Sequence, residues 1–190
     1  MEKELSQVKS NCVKIVLFGP ESTGKTTLSR QLARYYNSVW VREYARQYLQ
    51  NKWNNERKTC EPTDLIPIAI GQISLENELA SKANNVLICD TDLLETKVYS
   101  EAYYIGSCDP TLKKYAIENS YDLYFLTYID IPWEADDLRD KPKERLTMFN
   151  AFESELKKYN KPYVILTGSK EKRLKEAINH IDKLILNNTK

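Results

Sequence analysis

Short unbroken apolar runs alternate along this chain with stretches whose apolar residues recur at helical spacing, a pattern that predicts an α/β protein. Residues 12–18 are apolar apart from Lys14, as in a central parallel strand, and Gly19-Pro20 end the run. Leu28, Leu32 and the pair Tyr35-Tyr36 then mark a helix. A short extended segment is expected at 38–41 and a helix over 43–53, followed by a polar surface excursion at 54–64. Ile66, Ile70, Ile73 and Ala80 define the next helix, and the strand at 86–89 runs into Asp90-Thr91-Asp92.

Beyond it, residues 92–105 read as helix, Pro110 starts a short helix, and 123–127 form a strand. Leu146, Phe149, Phe152, Leu156 and Tyr159 make one face of a long helix; 163–166 are the last strand; Leu174, Ala177, Ile178, Ile181 and Leu184 line the final helix. About five strands alternating with helices predict a three-layer fold, with a central parallel sheet covered on both faces. Residues 1–10 are polar and are expected to form a flexible tail, leaving 11–190 as one domain.

Composition narrows the function classes. The 28 Lys and Arg nearly cancel the 27 Asp and Glu, so no global field would gather nucleic acid or anionic lipid. Phosphate affinity must therefore be local. Cys12, Cys60, Cys89 and Cys108 have neither CxxC spacing nor a histidine cluster, His180 being the sole histidine, which argues against a zinc site or a disulfide framework. With no long apolar run and no signal-like N-terminus, a cytoplasmic protein with a small-molecule substrate, free of nucleic acid and membrane, is expected. Self-association as a homo-oligomer stays open.

The informative motif is Gly19-Pro20-Glu21-Ser22-Thr23-Gly24-Lys25-Thr26, a full match to GxxxxGK[ST] between a strand and a helix. Glycines let the backbone curl so that successive N–H groups converge on phosphate oxygens, and the helix N-terminus adds a positive field. Lys25 is placed to reach the β- and γ-phosphates of ATP, and the Thr26 hydroxyl to ligate Mg²⁺. Thr27 serves either the α-phosphate or its own helix backbone.

Asp90 ends an apolar strand whose neighbours emerge on the same sheet edge, which suits a carboxylate on Mg²⁺ or its water shell. Asp92 reads equally as a contact to a substrate hydroxyl or as a helix cap. Glu43, just past the second strand, is the candidate to orient an acceptor hydroxyl, with Asp90 as its competitor and a helix-terminal ion pair among Arg42, Glu43 and Arg46 as the plainer alternative. Residues 131–145 mix carboxylates, arginines and prolines and are expected to act as a lid bringing Arg139 or Arg145 to the transferred phosphate. Arg145 can equally open the long helix with a surface ion pair. Trp133 either stacks on a ligand ring or anchors its loop. Gly168-Ser169 either border the adenine or merely form a turn.

Taken in order, the loop with its Glu21-Ser22 pair, Arg42-Glu43-Tyr44-Ala45-Arg46, Gly71-Gln72, Asp90-Thr91-Asp92 and Pro132-Trp133-Glu134 followed by Asp136-Asp137-Leu138-Arg139 resemble the nicotinamide riboside kinase domain of NadR-like proteins. The resemblance runs from about residue 13 to 183. It implies a P-loop kinase-like fold and transfer of the ATP γ-phosphate to the ribose 5′-hydroxyl of nicotinamide riboside. It also implies that Glu43, Asp90 and Asp92 lie near ribose or magnesium, Trp133 near the nicotinamide, Gln72 and Arg46 on the substrate side, and Arg139 in the lid. The HxGH signature of a nucleotidyltransferase is missing, so adenylyl transfer and DNA repression are expected to be absent. A kinase for another nucleoside, nucleotide or vitamin is the alternative, with Arg42 and Arg46 as candidates to hold an existing phosphate. A nucleotide-dependent switch or partner-regulated ATPase is the other; an NKxD guanine signature does not occur.

Overall fold

A computed structural model describes residues 2–104, 106–136, 138 and 142–188. Strands β1 (Val13–Phe18), β2 (Trp40–Val41), β3 (Val86–Asp90), β4 (Leu123–Thr127) and β5 (Tyr163–Leu166) form one sheet in the order β2-β3-β1-β4-β5. Every pairing is parallel. The helices are α1 (Lys25–Tyr35), α2 (Tyr44–Glu56), α3 (Leu65–Ala80), α4 (Leu93–Tyr103), α5 (Pro110–Glu118), α6 (Arg145–Lys158) and α7 (Lys170–Asn188). The predicted three-layer α/β architecture is thus the one observed.

The two-residue period of the strands divides the core. Val16, Phe18, Cys89, Tyr124 and Leu126 face one side, against Ala69 and Ile73 of α3, Leu94 of α4, Ala116 of α5 and Phe152 of α6. Ile15, Leu17, Ile88 and Phe125 face the other, against Leu28 and Leu32 of α1 and Ala177 and Ile181 of α7. Because β1 lies between β3 and β4, the loop leaving β1 emerges where the strand order reverses, flanked by Asp90 at one strand end and Thr127 at the other. Parallel sheets form their ligand crevice at this switch point.

One glycine sets how α2 sits on α3. A Cβ on Gly71 would lie 2.2 Å from the Tyr44 ring, so only hydrogen at this position lets the two helices approach so closely. The same contact carries Glu43 and Arg46 to the crevice, and the Gln72 side chain accepts a hydrogen bond from the Tyr44 N–H at 2.8 Å.

The expected flexible tail over 1–10 is corrected for its described part. Residues Glu2–Leu5 form a 3-10 turn, and Leu5 is fully buried. Asn77 of α3 accepts from the Val8 N–H and donates to Ser6 O, both at 2.9 Å, while the Asn119 amide donates to Leu5 O. A polar segment is ordered here because helix-borne amides satisfy its backbone and one leucine fills the core.

Leu5→Ala is therefore expected to cost about 2–4 kcal/mol of stability, read from urea or thermal unfolding. An unchanged midpoint would return this segment to the status of a loose tail.

Candidate functional site

The loop between β1 and α1 is held from several sides. Gly19 has φ +132°, and a Cβ there would lie 3.0 Å from both Thr127 O and Thr127 Oγ1, so β4 leaves no room for a side chain. Thr23 donates to Pro20 O at 2.8 Å and shares a 2.7 Å hydrogen bond with the Thr127 hydroxyl. Arg145, at the start of α6, donates to Ser22 O and to Ile131 O. Arg173, buried on α7, donates to Thr23 O and Tyr128 O and forms an ion pair with Asp130. Two guanidinium groups thus fix loop carbonyls from outside, which sets the peptide planes of a loop whose chemistry is carried by its N–H groups.

Lys25 is buried and donates to Gly19 O, to Pro20 O at 3.1 Å and to Glu95 at 3.1 Å. Burial alone would lower its pKa, but Glu95, Glu43 and Asp90 outweigh that and raise it, so the ammonium stays charged. The Thr26 hydroxyl donates to Asp90 Oδ2 at 2.6 Å. Burial, with Glu43 adding repulsion, pushes the Asp90 carboxyl up to about 7 against the opposing pull of Thr26 and Lys25. Burial likewise lifts Glu95 to about 8 in spite of Lys25.

Four buried side-chain polar atoms among the described residues lack a hydrogen-bond partner: Gln72 Nε2, Asp90 Oδ1, Glu95 Oε2 and Arg145 Nε. Three of them, those of Gln72, Asp90 and Glu95, gather at the crevice, where ligand atoms can satisfy them. The buried, unpartnered oxygen of Asp90 and the Thr26 hydroxyl beside it are hard-oxygen donors that fit Mg²⁺ together with phosphate oxygens. No cluster of three or more metal-ligating side chains occurs among the described residues, so protein groups alone do not build a cage.

Two adjoining cavities open here. The first, about 420 Å³, is lined by the loop from Glu21 to Thr27 with Arg30, Arg46 and Lys170. The second, about 140 Å³, is lined by Leu65, Ile68, Cys60, Gln72, Tyr103 and Tyr104. Glu21, Glu43, Glu95 and Tyr99 border both cavities and so mark their junction. A further hollow of about 990 Å³ lies against residues 6–12 and 118–122, remote from the loop.

Several residues singled out in the sequence are placed differently from expectation. Asp92 is 1% exposed and spends both oxygens internally: Oδ1 caps α4 through the Glu95 N–H at 3.0 Å, and Oδ2 accepts from Tyr124 at 2.8 Å. Capping, the alternative reading, is its role, and burial holds its carboxyl at about 6. Trp133 lines neither large cavity; it lies beside the Arg145 guanidinium, 5.8 Å from ring centre, in a narrow hollow with Pro20 and Met148. It anchors its loop. Arg145 is turned toward loop carbonyls rather than the cavity, and Arg139 lies outside the described residues.

Gly168 and Ser169 line neither large cavity. The Gly168 N–H donates to Asp130 at 2.6 Å, and Ser169 Oγ accepts from the Lys172 N–H, so these residues form the turn into α7. Arg46, instead of pairing with Glu43, binds Asp136 through two hydrogen bonds at 3.1 and 2.7 Å, tying α2 to the segment after β4. Thr27 is exposed and lines the larger cavity.

Sequence reasoning missed Glu95, Tyr99, Arg30, Lys170 and Arg173. Glu95, Tyr99 and Tyr103 follow one another at i, i+4 spacing on α4, a stripe that marked the face turned to the crevice. Arg173 gave no such signal, because it ends a run of charged residues from Lys170 that reads as a solvated helix face.

A parallel sheet with this loop at its switch point defines a P-loop nucleotide-binding protein. The chain belongs to the AAA domain family, whose sequence profile it matches over residues 14–173. It is 30% identical over 125 residues to the trifunctional NAD biosynthesis/regulator protein NadR of Salmonella typhimurium, and 31% identical over 125 residues to that of Escherichia coli. Each match covers 66% of this chain and 30% of the relative, so the chain aligns with less than a third of those longer proteins. The resemblance to NadR-like proteins read from the sequence is therefore borne out.

Among solved structures, NadR protein in complex with NR superposes with a TM-score of 0.78 at 22% identity, covering 90% of this chain and 51% of the other. Deoxyadenosine kinase from M. mycoides matches at 0.67 and 16% identity, over 90% of this chain and 100% of that one. Thymidylate kinase from Ehrlichia chaffeensis matches at 0.64 and 17% identity, over 92% and 100%. These neighbours establish a P-loop kinase fold. Among the described residues, no helix is long and apolar enough to cross a membrane.

The buried carboxyls give a pH signature. Asp90 at about 7, Glu95 at about 8 and Asp92 at about 6 all lie above their ordinary range in the folded chain. Over that window the folded state holds more protons than the unfolded one, so their contribution is full in acid and is lost as pH rises through 6 to 8. Without added ligand, the melting temperature is expected to rise as pH falls from about 8 to 6, less steeply in Asp90→Asn. A melting temperature that falls over this interval would contradict the assignment.

Proposed function

We propose that this chain transfers the γ-phosphate of ATP to the ribose 5′-hydroxyl of nicotinamide riboside, releasing ADP and nicotinamide mononucleotide. The observation that carries the reading is the lining of the smaller cavity. Three glutamates, Glu21, Glu43 and Glu95, and three tyrosines, Tyr99, Tyr103 and Tyr104, border it, with no Lys, Arg or His among its described lining residues. Nicotinamide riboside carries a flat pyridinium ring with a positive charge, and aromatic faces beside carboxyl groups favour such a cation. The similarity to NadR, and to a NadR structure in complex with NR, supports the same substrate.

An acceptor that already bears a phosphate would need cationic partners in this chamber, and its described lining offers none. Arg46 lines the neighbouring cavity and is engaged by Asp136, and Arg42 lines neither. The lining thus favours a nucleoside over a nucleotide as acceptor.

In the reaction, Lys25 and the loop N–H groups neutralise the β- and γ-phosphates, and Thr26 with Asp90 would hold Mg²⁺, which would supply positive charge to offset the phosphate oxygens. The 5′-oxygen forms its bond to the γ-phosphorus as the bond to the β,γ-bridging oxygen breaks, and the hydroxyl proton passes to Glu43. Glu43 suits this role because it borders both cavities at their junction. Residues 131–136 form an outer wall, held by Arg46–Asp136 and by the Glu134 N–H on Ser22 Oγ at 2.8 Å, that limits water at the γ-phosphate.

Purified protein should release ADP in the presence of nicotinamide riboside and form the mononucleotide. The dihydropyridine form of the same riboside, which has no ring charge, should be used far more slowly. Equal use of both forms would remove the electrostatic argument, and absence of riboside-dependent turnover would end the reading. Lys25→Ala should abolish turnover, whereas Glu43→Gln should lower it about 100-fold with nucleotide binding kept; unchanged turnover in Glu43→Gln would reassign the proton acceptor.

A further inference from the structure

Glu95 belongs to no sequence motif of the phosphate loop, yet it is 4% exposed and touches the loop's only lysine. Its Oε1 lies 3.1 Å from Lys25 Nζ, while its Oε2 is buried with no partner. The residue borders both cavities. Its backbone is fixed, since its N–H is the group that Asp92 caps. One end of this carboxyl group is thus committed to the phosphate-binding cation, and the other is unpartnered in a residue that borders the second chamber.

Lys25 has three N–H donors, and the structure directs them at Gly19 O, Pro20 O and Glu95. A triphosphate needs the same ammonium, so phosphate and Glu95 compete for it. When phosphate wins, a buried carboxyl group loses its charged partner and is left with two oxygens lacking hydrogen bonds. That is a costly arrangement, and it is relieved by donors placed in the adjoining chamber. Sugar hydroxyls are donors of the right kind. Gln72 Nε2, also buried and unpartnered, borders the same chamber and can serve the acceptor's oxygens in turn.

We propose that Glu95 is an acceptor-binding residue which Lys25 holds back and nucleotide releases, so that occupation of the phosphate site primes the sugar site. The acceptor class this implies is a polyhydroxylated compound, with hydroxyls that reach the junction of the cavities. The acceptor half of the inference rests on the kinase reading above; the exchange at Lys25 does not. Coupling of this kind makes the two ligands bind with mutual gain, each improving affinity for the other by the same factor.

The test is calorimetry on the intact chain, using AMP-PNP with Mg²⁺ and nicotinamide riboside, separately and together, for wild type, Glu95→Gln and Glu95→Asp. In wild type, AMP-PNP should tighten riboside binding about tenfold, within the usual range of coupling between sites. Glu95→Gln should bind AMP-PNP more tightly than wild type by a similar factor, because an amide holds Lys25 less firmly than the carboxyl group does, and should lose the gain in riboside binding. Glu95→Asp should recover part of that gain, which a merely structural role would not produce; its melting temperature and circular dichroism serve as the control for folding.

Unchanged or weaker AMP-PNP binding in Glu95→Gln would overturn the exchange at Lys25, and an undiminished riboside gain would overturn the acceptor contact. Should wild type bind no riboside at all, the substrate reading fails on its own. The AMP-PNP comparison then decides: tighter binding in Glu95→Gln upholds the exchange, and equal binding ends it.

Discussion

Burying the Lys25 ammonium costs solvation that only close oxygen atoms can return, and Gly19 O, Pro20 O and Glu95 supply them. Asp90 and Glu43 add attraction from further away, enough to hold the ammonium charged in an enclosed place. This one cation sits among carboxyl groups that burial raises first, with repulsion from Glu43 adding to it at Asp90 and Glu95. Parallel strand pairing, which sets Leu17 opposite Asp90, brings that carboxyl group beside the loop. Helix α4 brings Glu95 from the other side.

The loop carbonyls receive the complementary treatment. Arg145 from α6 and Arg173 from α7 reach in from opposite flanks of the fold, and both also bind backbone carbonyls of the segment after β4. Backbone that would otherwise be soft is thus tied to two long helices. Where a flexible loop must order itself around phosphate, that ordering costs binding free energy; where it is already fixed, the loss is smaller. Buried guanidinium groups satisfied by carbonyls are suited to this, since Arg offers several donors in one rigid plane.

How much of this could be read from the sequence depends on the range of the interaction that fixes each feature. The sheet and its helices were legible because strand and helix periods are local, and the phosphate loop because its residues are contiguous. Asp90 was legible since strand ends share an edge once the sheet is parallel. Asp92 was ambiguous for a physical reason: a carboxylate before a helix serves as cap or ligand, and only the position of Tyr124, 32 residues away, decides it. Glu95 and Arg173 were not legible as site residues, because a helical side chain meets its target only after the layers have packed. The order of residues 2–8 was hidden likewise, since it is secured by Asn77 and Asn119 from distant helices.

Cys60, Leu65, Ile68 and Tyr104 line the smaller chamber but not the larger one. Substitutions at these four positions would change the lining of one compartment without touching the residues that line the other. Such a partition gives natural selection a way to change what is recognised without rebuilding what is shared. Descendants of one ancestral frame can then diversify by substituting a few wall residues, each step passing through a variant that still folds and still holds its energy source. Deoxyadenosine and thymidylate kinases share this fold at 16% and 17% identity.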